Sequence, residues 1–163
     1  MKRNSTLYLT RGALIAALYV ALCYISSLFG LHNGVIQLRL SELLCILPFF
    51  LPEAVPGLFI GCLLSNLLMS SAIYDVIFGS IATLLGAIGT RLVKRLSKNR
   101  LWIASVPAVI SNGLIVPFVL IFAYGAKESY PFLLLTVSIG EIITASVGGS
   151  ILGYAILKTK IFK

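Results

Sequence analysis

Nearly all the positive charge in this chain is gathered into three short clusters, and the stretches between them are apolar. Lys2, Arg3 and Arg11 stand at the start, Arg91, Lys94, Arg95, Lys98 and Arg100 in the middle, and Lys158, Lys160 and Lys163 at the end. Only Arg39 and Lys127 of the thirteen Lys and Arg residues fall elsewhere. A chain of 163 residues that is 59% hydrophobic and 11% charged, with a mean hydropathy of +1.04, cannot clothe a water-facing surface. It reads as an integral membrane protein of one domain, residues 1–163, because no long polar segment could form a second. The net charge of +8 therefore points to membrane orientation and not to nucleic acid.

Six apolar segments can be drawn, at about residues 10–30, 38–52, 54–72, 75–96, 101–124 and 131–158. A helix needs about 20 residues to cross a hydrocarbon core of about 30 Å. The second segment, closed by Pro48 and Pro52, falls short and would cross only with help from its flanks. Sustained alternation is missing and the runs are too long for strands, so the expected fold is all-α with six transmembrane helices. Six crossings put the three basic clusters on one side, which by the positive-inside rule makes both termini cytoplasmic. The opening stretch imitates a signal peptide, but its apolar run is long and no clear A-x-A site follows. It is expected to be a retained first helix. The cluster at 91–100 could also touch ATPase subunits or anionic lipid, although topology alone accounts for it.

Catalytic signatures are missing. The sequence contains no GxxxxGK[ST] loop, no HExxH and no GxSxG. Cys23, Cys45 and Cys62 lie within apolar runs and His32 is the single histidine, so the cysteines read as small core residues and no metal or cofactor is expected. The two halves show no clear internal repeat of the kind that marks many secondary carriers. The chain is not expected to be an enzyme.

Ionisable groups inside membrane spans mark functional sites, because lipid penalises them. Glu141 would lie roughly 14 Å into the last span, and Asn112 roughly 16 Å into the fifth, at a rise of 1.5 Å per residue. Both depths are near the midplane. Thr144, Ala145 and Gly148 extend the Glu141 face as a small, polar, inward stripe. Pro107 and Pro117 flank Asn112, and Pro117 leaves the carbonyl of Gly113 without its usual donor. Asn112 could equally be an interhelical hydrogen bond, and Asn66 reads as packing glue. Asp75 opens the fourth segment, where it could cap the helix or meet a cationic ligand. Glu53 opens the third, while Lys127 and Glu128 read as a solvated loop. Arg39 and Glu42 stand three apart at the outer mouth of the short second helix, on one face. They could form an anchoring salt bridge, or Glu42 and Gln37 could reach a ligand while Arg39 orients the carboxylate.

Small residues form stripes. Ala13, Ala17 and Ala21 recur every four residues along the first helix, with Gly12 and Ala16 beside them. Such a stripe lets another helix approach closely, either within the bundle or from a partner subunit. Gly57 with Gly61, and Gly149 with Gly153, have the same spacing and suggest intramolecular packing.

"VIQLRLSELLCILPFFLPEAVPGLFIGCLLSNLL", then "YDVIFGSIATLLGA", "SNGLIVP" at 111–117 and "IGE" at 139–141 resemble the QueT family. The resemblance covers about the central and later two-thirds of the chain, and its specific part runs from 37 to 87. It implies the substrate-binding (S) subunit of an energy-coupling-factor (ECF) transporter for queuosine precursors, in the plasma membrane of a bacterium. It further implies an S-component bundle of six helices, uptake of 7-aminomethyl-7-deazaguanine or a related base, and as partners a membrane coupling subunit and two ATPase subunits. The Ala13, Ala17 and Ala21 stripe becomes the expected docking face for the coupling subunit. A guanine-like edge offers two donors that one carboxylate, Glu141 or Glu42, can accept, and its carbonyl wants an amide such as Asn112 or Gln37. A cationic aminomethyl group would favour Asp75, a second glutamate or an aromatic face such as Tyr74, Tyr124 or Phe118. Trp102 reads as an interface anchor. The expected substrate contacts are thus Glu141, Glu42, Asn112, Gln37, Arg39, Asp75 and Tyr74. Rival readings are an S component for another vitamin-like molecule and a membrane scaffold whose polar residues only fasten helices.

Overall fold

The computed structural model describes residues 5–31, 36–69, 72–94 and 100–159, and among these every regular element is a helix. Of the three basic clusters Lys2, Arg3, Arg95, Lys98, Lys160 and Lys163, together with His32, lie outside the described residues. Four helical stretches are long and apolar enough to cross a bilayer: Ser5–Leu28, Asp75–Val93, Leu101–Tyr124 and Tyr130–Thr159. Two shorter apolar ones, Leu40–Phe50 and Ala54–Leu68, complete the bundle. Leu9, Leu68, Phe122 and Ile151 are among many large apolar side chains exposed on the outside, while Ser41, Glu42, Ser65, Thr90, Ser105 and Asn112 are buried. An apolar exterior around a partly polar interior suits lipid and would be untenable in water.

Helix α1 spans Ser5–Leu28. The expected second helix is instead a 3₁₀ turn, Leu40–Ile46, running into the short α2, Leu47–Phe50. Pro48 explains the change. It sits in the first turn of α2, where its missing N–H leaves no gap, and a continuous α-helix would have needed that donor. The 3₁₀ rise of about 2.0 Å per residue stretches these eleven residues to roughly 20 Å, still short of a full crossing. Next come α3 (Ala54–Leu68), a π-helical turn (Asp75–Gly79) leading into α4 (Ser80–Val93), and α5 (Leu101–Ala104). The longest single α-helix after α1 is α6, Val106–Tyr124, which ends at Gly125 in the left-handed conformation that glycine adopts freely. The last span is α7 (Tyr130–Glu141), a second π-helical turn (Ile142–Gly148) and α8 (Gly149–Thr159).

Glycines set how closely these elements approach. A Cβ on Gly57 would lie 2.7 Å from the carbonyl oxygen of Gly12, and one on Gly61 would lie 2.7 Å from Cβ of Tyr19 and 3.0 Å from the oxygen of Ala16. Thus α1 and α3 pack side by side through small residues, running the same way. Gly149 meets the carbonyl of Leu43 and Gly153 meets Ile46 and Leu101, so α8 packs against the short helical segment. Both glycine pairs serve packing within the bundle, as their spacing suggested. Ala13, Ala17 and Ala21, by contrast, face outward, while Ala16 is buried and Gly12 half-buried against α3. The side-by-side stripe of the sequence is therefore split between an inner and an outer face.

Two ends of the bundle are tied differently. At one, Arg11 pairs with Glu53 at 3.3 Å, Arg91 donates to the carbonyl of Pro48 at 3.3 Å, and Lys94 lies 5.6 Å from the ring centroid of Phe49. Glu53 thus holds a partner on α1 and makes no side-chain cap for α3. At the other end Arg39, Asp75, Ala72 and Tyr124 come together.

Candidate functional site

The interior polar cluster is built on Glu42, which is 1% exposed. The 3₁₀ turn directs its carboxylate into the bundle, where three elements supply donors. From α1, the Tyr19 hydroxyl donates to Oε1 at 2.6 Å. From its own turn, Sγ of Cys45 donates to Oε2 at 2.9 Å. From α6, the Asn112 amide nitrogen lies 3.4 Å from the same oxygen. Three donors around one carboxylate make a buried anion tenable in a place that would otherwise exclude it.

Glu141 is nearly as buried, at 7% exposed, and is kept differently. It closes α7 just before the π-helical turn, and the Asn112 side chain reaches it as well as Glu42. Its Oε2 is buried with no hydrogen-bond partner among the described residues. Thr144 and Ala145 are buried beyond it, so the small polar stripe does face inward. The turn also brings Gly148 against Leu43. π-helical turns often accompany functional sites because they break the regular ladder and re-aim side chains.

The segment 36–39 lies across this end. It passes Gly140 so closely that the glycine Cα faces the carbonyl oxygen of Gln37, and a Cβ there would collide with it. Gln37 is half-buried, and it is its backbone that meets Gly140.

Arg39 does not pair with Glu42, contrary to the expectation from their spacing. It stands before the 3₁₀ turn in extended backbone (φ −108°, ψ 106°), so its side chain leaves the Glu42 face. Only the backbone joins them, Glu42 N–H to the Arg39 carbonyl at 3.0 Å. The guanidinium instead lies 3.9 Å from Oδ2 of Asp75. That oxygen also accepts the Tyr124 hydroxyl at 3.0 Å, while Asn66 donates to the Asp75 backbone carbonyl at 3.1 Å. Asp75 is 4% exposed and opens the first π-helical turn, and its carboxylate makes no cap of the kind expected at a helix start. Oδ1 of Asp75 is buried without a partner among the described residues. Gly79 leaves it room, since a Cβ there would sit 2.8 Å away.

Two groups thus form, one around Glu42, Asn112 and Glu141 and one around Asp75, with Arg39 in electrostatic range of both. Tyr74 belongs to neither. It is exposed on an outer apolar groove of about 490 Å³ with Phe78, Ile115, Phe118, Val119 and Phe122. The Ala13 and Ala17 face lines another groove, about 390 Å³, with Gly57 and Ile60. Among the described residues no group of His, Cys, Asp and Glu has the geometry to hold a metal ion.

Sequence reasoning missed Tyr19, the completely buried donor to Glu42. Its signal was faint but present: Ile15, Ala16, Tyr19, Cys23 and Ser26 follow helical spacing, and that is the face α1 turns inward. The cysteines are more than apolar filling. Cys45 donates to Glu42, Cys23 donates to Ser41 at 3.1 Å, and Cys62 accepts from Thr83 at 3.3 Å.

Comparison with known proteins bears on what such an interior does. A family model described as QueT transporter matches residues 9–158. The protein called Queuosine precursor transporter QueT in Lactococcus lactis subsp. cremoris (strain MG1363) is 30% identical over 159 residues, which is 93% of this chain and 94% of that one. No solved structure matches the chain.

Proposed function

The chain belongs to the QueT transporter family, and from that premise we propose that it captures a queuosine precursor, 7-aminomethyl-7-deazaguanine or a related base, as the S subunit of an ECF importer. The observation that carries the site is the buried Glu141 oxygen without a partner, next to an Asn112 amide. A guanine-like edge presents adjacent ring and exocyclic N–H donors that a carboxylate accepts together, and a carbonyl that an amide can meet. Glu42, already holding three donors, orients Asn112 for that task.

In this reading the chain crosses the plasma membrane of a bacterium six times with both termini in the cytoplasm. The two short stretches, Leu40–Phe50 and Ala54–Leu68, act as the second and third crossings. The basic residues Arg91, Lys94, Arg100 and Lys158 then share the cytoplasmic side. Segment 36–39 covers the site from outside. The outward face of Ala13, Ala17 and Ala21 supports docking of a membrane coupling subunit, since exposed small residues let a helix approach closely. Two ATPase subunits supply hydrolysis, and this chain performs no catalysis of its own.

Calorimetric titration of the purified protein with 7-aminomethyl-7-deazaguanine tests the reading. Saturable binding is expected, weakened on the order of 100-fold in Glu141→Gln, which loses a charged bidentate acceptor. Unchanged affinity in the variant removes Glu141 from the site. No binding by the unaltered chain favours a different ligand or a purely structural interior.

A further inference from the structure

Charge inside the bundle does not balance. Among the described residues Glu42, Asp75 and Glu141 are buried carboxylates, while Glu53 is matched by Arg11 at the far end. Among the described residues Arg39 is the cation that reaches them, and its 3.9 Å approach to Asp75 is longer than a charge-assisted hydrogen bond. Glu42 compensates with three donors. Asp75 has the Tyr124 hydroxyl on one oxygen and, among the described residues, no hydrogen-bond partner on the other. Burying a carboxylate oxygen without a donor is costly, and the cost is relieved when a positive group arrives.

Resting on the substrate reading above, we propose that Asp75 determines specificity by receiving a cationic amine on the ligand, so that the protein selects an amine-bearing base over a neutral one of the same shape. The base edge meets Glu141 and Asn112, and the amine points to the Asp75 group at the mouth. Arg39 lies in electrostatic range of both groups and offsets part of their negative charge. Gly79 and Asn66 fix the back wall behind Oδ1. The ammonium adds a donor and the missing positive charge, whereas a hydroxyl in its place adds a donor alone. Aromatic Tyr74, the other site expected for a cation, faces the outer groove and takes no part.

Calorimetry on the purified full-length chain, with 7-aminomethyl-7-deazaguanine and its neutral 7-hydroxymethyl counterpart, reads the ratio of the two Kd values. The unaltered protein is expected to favour the amine by about tenfold or more. Asp75→Asn brings the ratio close to one by weakening the amine far more than the hydroxymethyl base. Tyr124→Phe keeps the ring and removes a competing donor from Oδ2, so it raises the ratio, and it decides the matter if Asp75→Asn does not fold. Equal affinities in the unaltered protein, or a ratio that neither variant moves, overturns the charge selection while leaving base binding intact. Binding of neither base overturns the substrate reading itself, and this inference with it.

Discussion

Glu42 and Glu141 are two glutamates at similar depth in one bundle, both touched by Asn112, yet their surroundings differ. Glu42 is surrounded by donors from α1, α6 and its own turn. Glu141 keeps an oxygen that nothing among the described residues answers. Burial alone therefore does not identify a ligand site in a membrane interior. The number of donors already spent on a buried group separates a carboxylate that holds helices together from one held in readiness.

The widest break in that comparison comes from Glu42→Leu set beside Glu141→Leu. Removing Glu42 strands the Tyr19, Cys45 and Asn112 donors, and a loss of about 3 kcal/mol is expected, read as a large fall in the detergent melting temperature. Glu141→Leu strands far less and should melt close to the unaltered protein while losing the base. Equal melting losses in the two variants would erase the distinction. Tyr19→Phe probes one strut of the Glu42 cluster. It removes a 2.6 Å bond to a carboxylate and should lower stability by about 1–2 kcal/mol in chemical unfolding, with base affinity reduced only as Asn112 loosens. Cys45→Ala is the gentlest test. A thiol is a weak donor, so about 0.5 kcal/mol is expected, with binding unchanged. A binding loss there larger than the stability loss would move Cys45 from the framework into the site.

Much of this organisation was legible from residue order. Membrane character followed from apolar runs between charge clusters, and counting 1.5 Å per residue from the span ends set Glu141 and Asn112 at one height. Their shared contact bears that estimate out. Side-chain direction was not legible at Arg39. The i, i+3 rule assumes that both residues lie on the helix, and Arg39 stands in extended backbone just before it. Its true partner, Asp75, is 36 positions away and meets it only because α3 and α4 fold back. Tyr19 was hidden for a related reason. A tyrosine in an apolar run looks like a membrane anchor until the packing of Gly61 against it shows which way it points. The 3₁₀ character of 40–46 was likewise masked, since an apolar run ended by prolines fits either kind of helix.

The π-helical turn at Ile142–Gly148 has a consequence for length. The last span behaves as two rods joined by a phase-setting coupler. The first rod presents Glu141 to the interior, and the second presents Gly149 and Gly153 to the wall made by Leu43 and Ile46. Each α-helical residue turns the axis by about 100°. Gaining or losing one residue in the coupler would therefore swing the second rod by more than a quarter turn, leaving the first where it is. The glycines would leave their wall and a β-carbon would arrive in their place. The outward Ile142 and Ile143 leave the coupler's lipid-facing composition open to change, but its residue count is fixed by the two faces it joins.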